Sequence, residues 1–145
     1  MNEKKHLRSS SIIVLIFAAV SFLNIISQLI WGDFDNVPIP DGSPENILLI
    51  SKIVIAVISL IILAPQIYIG LKGLKMAKKP DASKAHINWA MVLFVLSILA
   101  LVSPIMNIIS GQNISDNVFE FLSLLVEVFI FFDYIKYAKA VSKGI

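Results

Sequence analysis

The chain has 145 residues, of which 57% are hydrophobic and only 15% are charged, and its mean hydropathy is +0.85. Soluble domains carry about 25% charged residues, so this composition excludes an ordinary water-soluble domain and predicts a lipid environment. The net charge of +2 is too small to indicate nucleic-acid binding, and the absence of cysteine excludes disulfides, thiolate metal sites and thiol nucleophiles.

A basic leader precedes the first apolar segment. Lys4, Lys5 and Arg8 are followed by an apolar run at 10–31, which is longer than the roughly 7–15 residues of a signal-peptide core. We therefore expect a retained transmembrane helix that enters from the cytoplasm. The segment at 32–46 contains acidic residues but no lysine or arginine, as expected of an external loop.

A second apolar segment at 47–71 leads into the most basic stretch of the chain. The turn that we predict at 72–85 contains five lysines and a single acid, Asp81. Loops rich in lysine stay on the cytoplasmic side of a membrane, so this turn sets the orientation of every span. Gly70 and Gly73 are expected to loosen the end of the helix before the turn.

Two further spans are predicted at 86–110 and 117–137, joined by a tight external turn at 111–116. The tail that follows carries Lys139 and Lys143, which places the C-terminus in the cytoplasm.

The sequence also predicts separate roles for a tyrosine, a histidine and a proline in these two spans. Tyr134 is expected to mark the inner membrane interface, and His86 to be a solvated interfacial side chain. Pro104 is a candidate hinge in the outer half of the third span.

The sequence thus predicts that residues 1–145 form a single all-α integral membrane domain. Its architecture is a four-helix bundle of two antiparallel transmembrane hairpins, with the N- and C-termini cytoplasmic. Abundant isoleucine and lysine without cysteine favour a bacterial cytoplasmic membrane as the location.

Each predicted span places polar side chains on one helical face. The candidates for an intramembrane polar or coupling site are Asn24, Lys52, Ser59, Gln66, Ser97, Glu120 and Glu127. Lipid cannot satisfy such groups, so these faces are predicted to meet inside the bundle. They either form a functional site or join the helices by hydrogen bonds.

Glu127 is the most informative of these residues. It lies about ten residues from each end of the fourth span, and so about 15 Å from either interface, where a carboxylate costs a few kcal/mol. Asn24, Ser59 and Ser97 are expected at the same depth. Glu127 either couples a proton or cation to transport or donates one hydrogen bond between helices as a neutral acid.

Glu120 has two simpler explanations near the start of the fourth span. Asn117 and Glu120 have the spacing of a capping box. A Lys52–Glu120 ion pair is expected if the second and fourth spans are neighbours.

The middle of the second span contains a proline followed by a glutamine. Ala64-Pro65-Gln66-Ile67-Tyr68, with Lys72 and Lys75 after it, resembles the PQ-loop sugar and amino-acid transporters, which place this dipeptide in the cytoplasmic half of a helix that runs inward. The resemblance covers the dipeptide and its flanks, and it identifies no family. Those transporters are built on three-helix units, so the first span would be an addition. The resemblance implies that Pro65 is a hinge supported by Gln66.

The sequence contains no nucleophile with a base, no metal constellation and no phosphate-binding glycine loop. We therefore expect neither an enzyme nor a cofactor. One hypothesis is an accessory or structural membrane protein that acts through helix–helix contacts, and the other is a homo-oligomeric transporter of small solutes or ions with Glu127 as its coupling carboxyl. The expected partners are the lipid bilayer and either a second copy or a larger membrane complex, without nucleic acid. The lack of any distinctive transport motif favours the first hypothesis.

Overall fold

A computed structural model describes residues 2–32, 40–43 and 45–144, and all regular secondary structure in these ranges is α-helical. The helices are α1 (Asn2–Trp31), α2 (Ile47–Lys78), α3 (Ala85–Ala100), α4 (Val102–Ile109) and α5 (Ile114–Lys143). Most of the predicted external loop at 32–46 lies outside the described residues. The predicted all-α class is confirmed.

Three helical segments are long and apolar enough to cross a membrane, and they are Asn2–Trp31, Ile47–Lys78 and Ala85–Ile109. This finding supports the predicted membrane location. α5 is as long as α1, with 30 residues, but it carries Glu120, Glu127 and Asp133 along its length and is not among the three. The fourth span at 117–137 therefore stays a prediction.

The helices extend beyond the spans that the sequence indicated. α1 begins at Asn2 rather than near residue 10, α5 continues to Lys143, and α2 continues to Lys78. The added turns lie at the start of α1 and at the ends of α2 and α5. They are rich in lysine, arginine and alanine, which are good helix formers. Because α2 is longer than expected, only residues 79–84 of the predicted basic turn at 72–85 are non-helical.

An ion pair holds this shortened turn against the end of α2. Lys72 Nζ lies 2.8 Å from Asp81 Oδ2, and the backbone N–H of Ser83 donates to Asp81 Oδ1 at 3.0 Å. The hydrogen bond from Lys72 and, to a smaller extent, that from Ser83 lower the pKa of Asp81 below its ordinary value of 3.8.

The third predicted span, 86–110, is interrupted between α3 and α4. Pro104 has no N–H to donate to the carbonyl of Ala100, and its ring crowds that carbonyl. The N–H of Leu101 instead donates to Ile98 O at 3.1 Å, and the helix resumes as α4 with Pro104 in its first turn, where proline is tolerated. Pro65, in contrast, lies inside α2 without interrupting it. Hinge motion at either proline stays a prediction.

The start of α5 differs from the predicted capping box. The residue that precedes the helix is Asn113, in the left-handed conformation at φ 41°, so Asn117 lies inside the helix and does not cap it with Glu120. The Asn117 side chain instead donates to Gln112 O at 2.9 Å and accepts a hydrogen bond from Asn107 Nδ2 at 3.1 Å. It therefore ties α4, the turn and α5 together.

The helices pack so that α1 lies along α2, while α5 contacts both α1 and α3. α2 also contacts α3, and it approaches α5 over a short stretch. We call the end that carries the turn at 79–84 the basic end; it also contains the start of α1 and the end of α5. Most buried residues lie in the half of the molecule at the basic end, in the stretches 7–18, 63–76, 86–97 and 131–141.

Candidate functional site

A cluster of polar groups is buried at the basic end, where α2, α3 and α5 meet. His86 and Tyr134 have no exposed surface, and His86 Nδ1 lies 2.8 Å from the Tyr134 hydroxyl oxygen. That hydroxyl donates to Ile69 O at 2.7 Å, and His86 Nε2 lies 3.1 Å from Ser83 O. We call these groups the His86–Tyr134 cluster. It joins the turn at 79–84 to three helices by a continuous series of polar contacts.

The cluster has a defined requirement for protons. The carbonyls of Ser83 and Ile69 can only accept, so the three contacts use three protons, whereas a neutral imidazole and a phenol supply two. The complete set therefore forms when both ring nitrogens of His86 carry a proton. A neutral ring leaves one of the three contacts without a proton: a contact of the Tyr134 hydroxyl if Nε2 is protonated, and the contact with Ser83 O if Nδ1 is protonated.

Gly73 allows α2 to come close to this cluster. A Cβ at this position would overlap Ser11 Oγ and would lie 2.6 Å from the Tyr134 ring. At Gly70, a Cβ would lie 2.6 Å from Leu15 Cδ2 on α1. Both glycines are buried inside α2, so the prediction that they loosen the helix end is wrong. They are positions of close helix packing instead.

Gln66 is buried and joins α2 to α1, because its Nε2 donates to Val14 O at 3.3 Å. The neighbouring Pro65 is half-buried and lines an open apolar groove of about 500 Å³ between α2 and α3, whose walls also include Tyr68 and Trp89. The structure thus gives Gln66 a contact between helices, while its predicted support of a hinge at Pro65 stays a prediction.

The other predicted intramembrane residues do not converge on one site. Ser59 Oγ donates to Ile55 O at 2.8 Å and Ser97 Oγ donates to Leu93 O at 2.9 Å, so each hydroxyl is satisfied within its own helix. Asn24 on α1 is exposed.

Lys52 and Glu120 are also apart from the cluster. Lys52 lines a narrow crevice between α1 and α2 together with Gln28 and Ser59. Glu120 is exposed on α5, and within the described ranges it forms no ion pair with Lys52. The sequence predicted this pair only if the second and fourth spans are neighbours. The α2–α5 contacts that the structure shows join Ile69 and Gly73 to Tyr134, near the basic end, and the pair does not form.

Glu127 is half-buried near the middle of α5, about 20 Å from the first residue of the helix and about 24 Å from the last. It has no hydrogen bond or ion pair with any residue that the structure describes. The predicted neighbours Asn24, Ser59 and Ser97 do not bond to its carboxyl group. The position of Glu127 within the helix is as the sequence indicates, and its role stays a prediction.

Sequence reasoning missed the His86–Tyr134 cluster, since it placed both side chains at the membrane–water interface, whereas both are buried. One signal was present in α5, where Tyr134 shares a spacing of three and four residues with Phe131, Ala138 and Val141, all buried. That spacing places Tyr134 on the packed face. No pattern in the sequence links it to His86, which lies 48 residues away.

Within the described ranges, no three His, Cys, Asp or Glu side chains come together as metal ligands. Comparison with protein-family models, with curated proteins and with solved structures finds no match for this chain.

Proposed function

We propose that this chain is a four-span membrane protein with both termini in the cytoplasm. In this proposal it acts as an accessory or structural component, through helix–helix contacts with a larger membrane complex or a second copy, and not as an enzyme. The single observation that carries the proposal is the uncovered polar surface in the half of the molecule away from the basic end.

The orientation follows from charge. The basic end gathers the turn at 79–84, the basic start of α1 and the lysines at the end of α5, which favours the cytoplasmic side for all of them. α5 carries Glu120, Glu127 and Asp133 along its length, and it contacts α1 and α3. These contacts support α5 as the fourth span, because they pack it against two of the helices that are apolar enough to cross a membrane.

The uncovered polar groups lie at membrane depth on two helices. Asn24 is seven residues, or about 10 Å, from the end of α1, and it is exposed, as is Glu120 on α5. Glu127 is half-buried on α5 without a hydrogen bond to any described residue. Such groups are costly against lipid, whereas a partner helix with donors and acceptors of its own would satisfy them.

Association in mild detergent tests this proposal. We expect the wild-type chain to run as a complex in native mass spectrometry, and the double variant Asn24→Leu/Glu120→Leu to run as a monomer. The control Leu23→Ala/Phe119→Ala changes exposed apolar residues beside the same two positions and should keep the complex. A wild-type chain that is monomeric in both detergent and nanodiscs would contradict the proposal.

A second candidate function rests on Glu127 alone. A half-buried carboxyl in the middle of a span is also what a proton-coupled transporter requires. In proteoliposomes loaded with a pH-sensitive dye, transport predicts that Glu127→Gln abolishes proton movement while the protein still inserts. The accessory function predicts that wild type and variant give the same trace.

A further inference from the structure

A cleft of about 370 Å³ lies at the basic end, between the start of α3 and the last turns of α5. It is distinct from the His86–Tyr134 cluster and from the polar surface considered above. Three lysines line it, Lys84 from the turn and Lys139 and Lys143 from α5. Asn88 and Ser142 contribute further hydrogen-bonding groups.

The charged residues that line the cleft are all positive. None of its lining residues is acidic, and in the described part of the chain none of the three amines forms an ion pair. Lys72, by contrast, is paired with Asp81. Three cations around one space repel each other unless an anion or water lies between them.

Helix dipoles explain two of the three lysines but not the third. Lys139 and Lys143 lie near the C-terminal end of α5, where the partial negative charge of the carbonyls favours cations. Lys84 immediately precedes α3, whose N-terminal end carries partial positive charge and favours anions. An anion in the cleft would offset both Lys84 and the start of α3.

The cleft also has an apolar part. Ile87 and Met91 line it one helical turn apart on α3, and below them α3 continues as an apolar helix. A ligand with a charged head and a hydrocarbon tail would match both parts. Basic pockets at the cytoplasmic ends of transmembrane helices bind lipid headgroups by this arrangement.

We propose that this cleft binds a phosphate group, supplied either by the headgroup of an anionic phospholipid in the surrounding leaflet or by free phosphate. The lysines hold the phosphate oxygens through charge-assisted hydrogen bonds. Asn88 and the start of α3 complete the site. The inference uses the membrane orientation described above, but it does not depend on a partner protein.

The test uses the full-length chain in a neutral detergent, with bound mass and melting temperature as readouts. Three ligands are compared, namely phosphatidylglycerol, phosphatidylcholine and inorganic phosphate. The site variant is Lys84→Gln/Lys139→Gln/Lys143→Gln. The matched control is Lys75→Gln/Lys78→Gln/Lys79→Gln, which removes the same charge from exposed lysines at the same end that do not line the cleft.

We expect wild type and control to bind phosphatidylglycerol at least about tenfold more tightly than the site variant does, since each lysine near a membrane surface contributes to anionic lipid binding. Stabilisation by inorganic phosphate alone, lost in the site variant, identifies free phosphate as the source. Stabilisation by phosphatidylglycerol alone identifies the lipid.

Equal binding by the site variant and the wild type would overturn the proposal. So would an equal loss in the control, which would mean diffuse attraction to the basic end, and so would equal binding of phosphatidylcholine. If the site variant does not fold, the single variant Lys84→Gln decides the matter, because Lys84 lies outside every helix. It should weaken binding by roughly fivefold, and unchanged binding would count against the site.

Discussion

Tyr134 shows how a single side chain can join three helices. Its hydroxyl lies between His86 on α3 and the backbone of Ile69 on α2, while its ring packs against Gly73. Because the Tyr134 and His86 side chains are both fully buried, no water replaces these polar contacts when they are lost. The His86–Tyr134 cluster is therefore expected to be a main determinant of how the basic end packs.

Removal of the Tyr134 hydroxyl should destabilise the folded protein. Tyr134→Phe removes the hydrogen bond to Ile69 O and leaves the buried Nδ1 of His86 without its partner, at a cost of about 1–3 kcal/mol. Unfolding in mixed micelles of increasing SDS fraction, followed by circular dichroism, measures this loss. Tyr137→Phe is the control, since Tyr137 is half-buried and stacks on His6 at 4.7 Å without a hydroxyl contact among the described residues. Equal effects of the two substitutions would contradict the assignment.

Gly73→Ala tests the close approach of α2. The added methyl group would overlap Ser11 and press on the Tyr134 ring, so the same unfolding measurement should show a loss of about 1–3 kcal/mol. Gly144→Ala is the control, because a Cβ there would be 3.6 Å from its nearest neighbour. A Gly73→Ala variant as stable as the wild type would show that the helices have room to separate.

At the scale of elements, proline explains one boundary and helix packing explains another. The interruption between α3 and α4 could be predicted from Pro104, because the missing N–H is a property of the residue itself. The end of α2 could not, because Gly73 favours a loose helix end in isolation. Its lack of a side chain is what lets α2 continue beside Ser11 and Tyr134, and that requires knowledge of the neighbouring helices.

The ion pair between Lys72 and Asp81 should stabilise the turn after α2 in a pH-dependent way. The pKa of Asp81 is lower in the folded protein than in the unfolded chain, so its contribution is present above pH 3.8 and is lost as pH falls through the lower, folded value. Asp81→Asn should lower the melting temperature slightly at neutral pH. The difference from wild type should disappear under strongly acidic conditions, and a difference that persists there would contradict the ion pair.

At the scale of the whole molecule, the sequence predicted the helical class and the membrane environment but not the distribution of the core. Helical periodicity shows which residues share a face, and it correctly grouped Ser59 with Gln66 on α2. It does not show where along the helix a neighbour is close enough to cover that face. Gln66 is buried near the basic end, whereas Asn24 and Glu120 stay exposed in the other half.

The burial pattern also separates two kinds of polar residue that look alike in the sequence. Serines at membrane depth satisfy their hydroxyls on the carbonyl four residues earlier, so they need no neighbour. Glu127 cannot do so when ionised, because a carboxylate only accepts hydrogen bonds. This difference is why Glu127, and not the serines, leads to a prediction about a partner or a transported ion.

The central claim is that the turn at 79–84 faces the cytosol while both connecting loops face outward, which requires four membrane crossings. The chain contains no cysteine, so Asp41→Cys, Lys79→Cys and Gln112→Cys each introduce a single thiol at an exposed position. With a membrane-impermeant maleimide, intact cells should label residues 41 and 112, and residue 79 should react only after lysis. Labelling of residue 79 in intact cells, or of residue 112 only after lysis, would contradict the account.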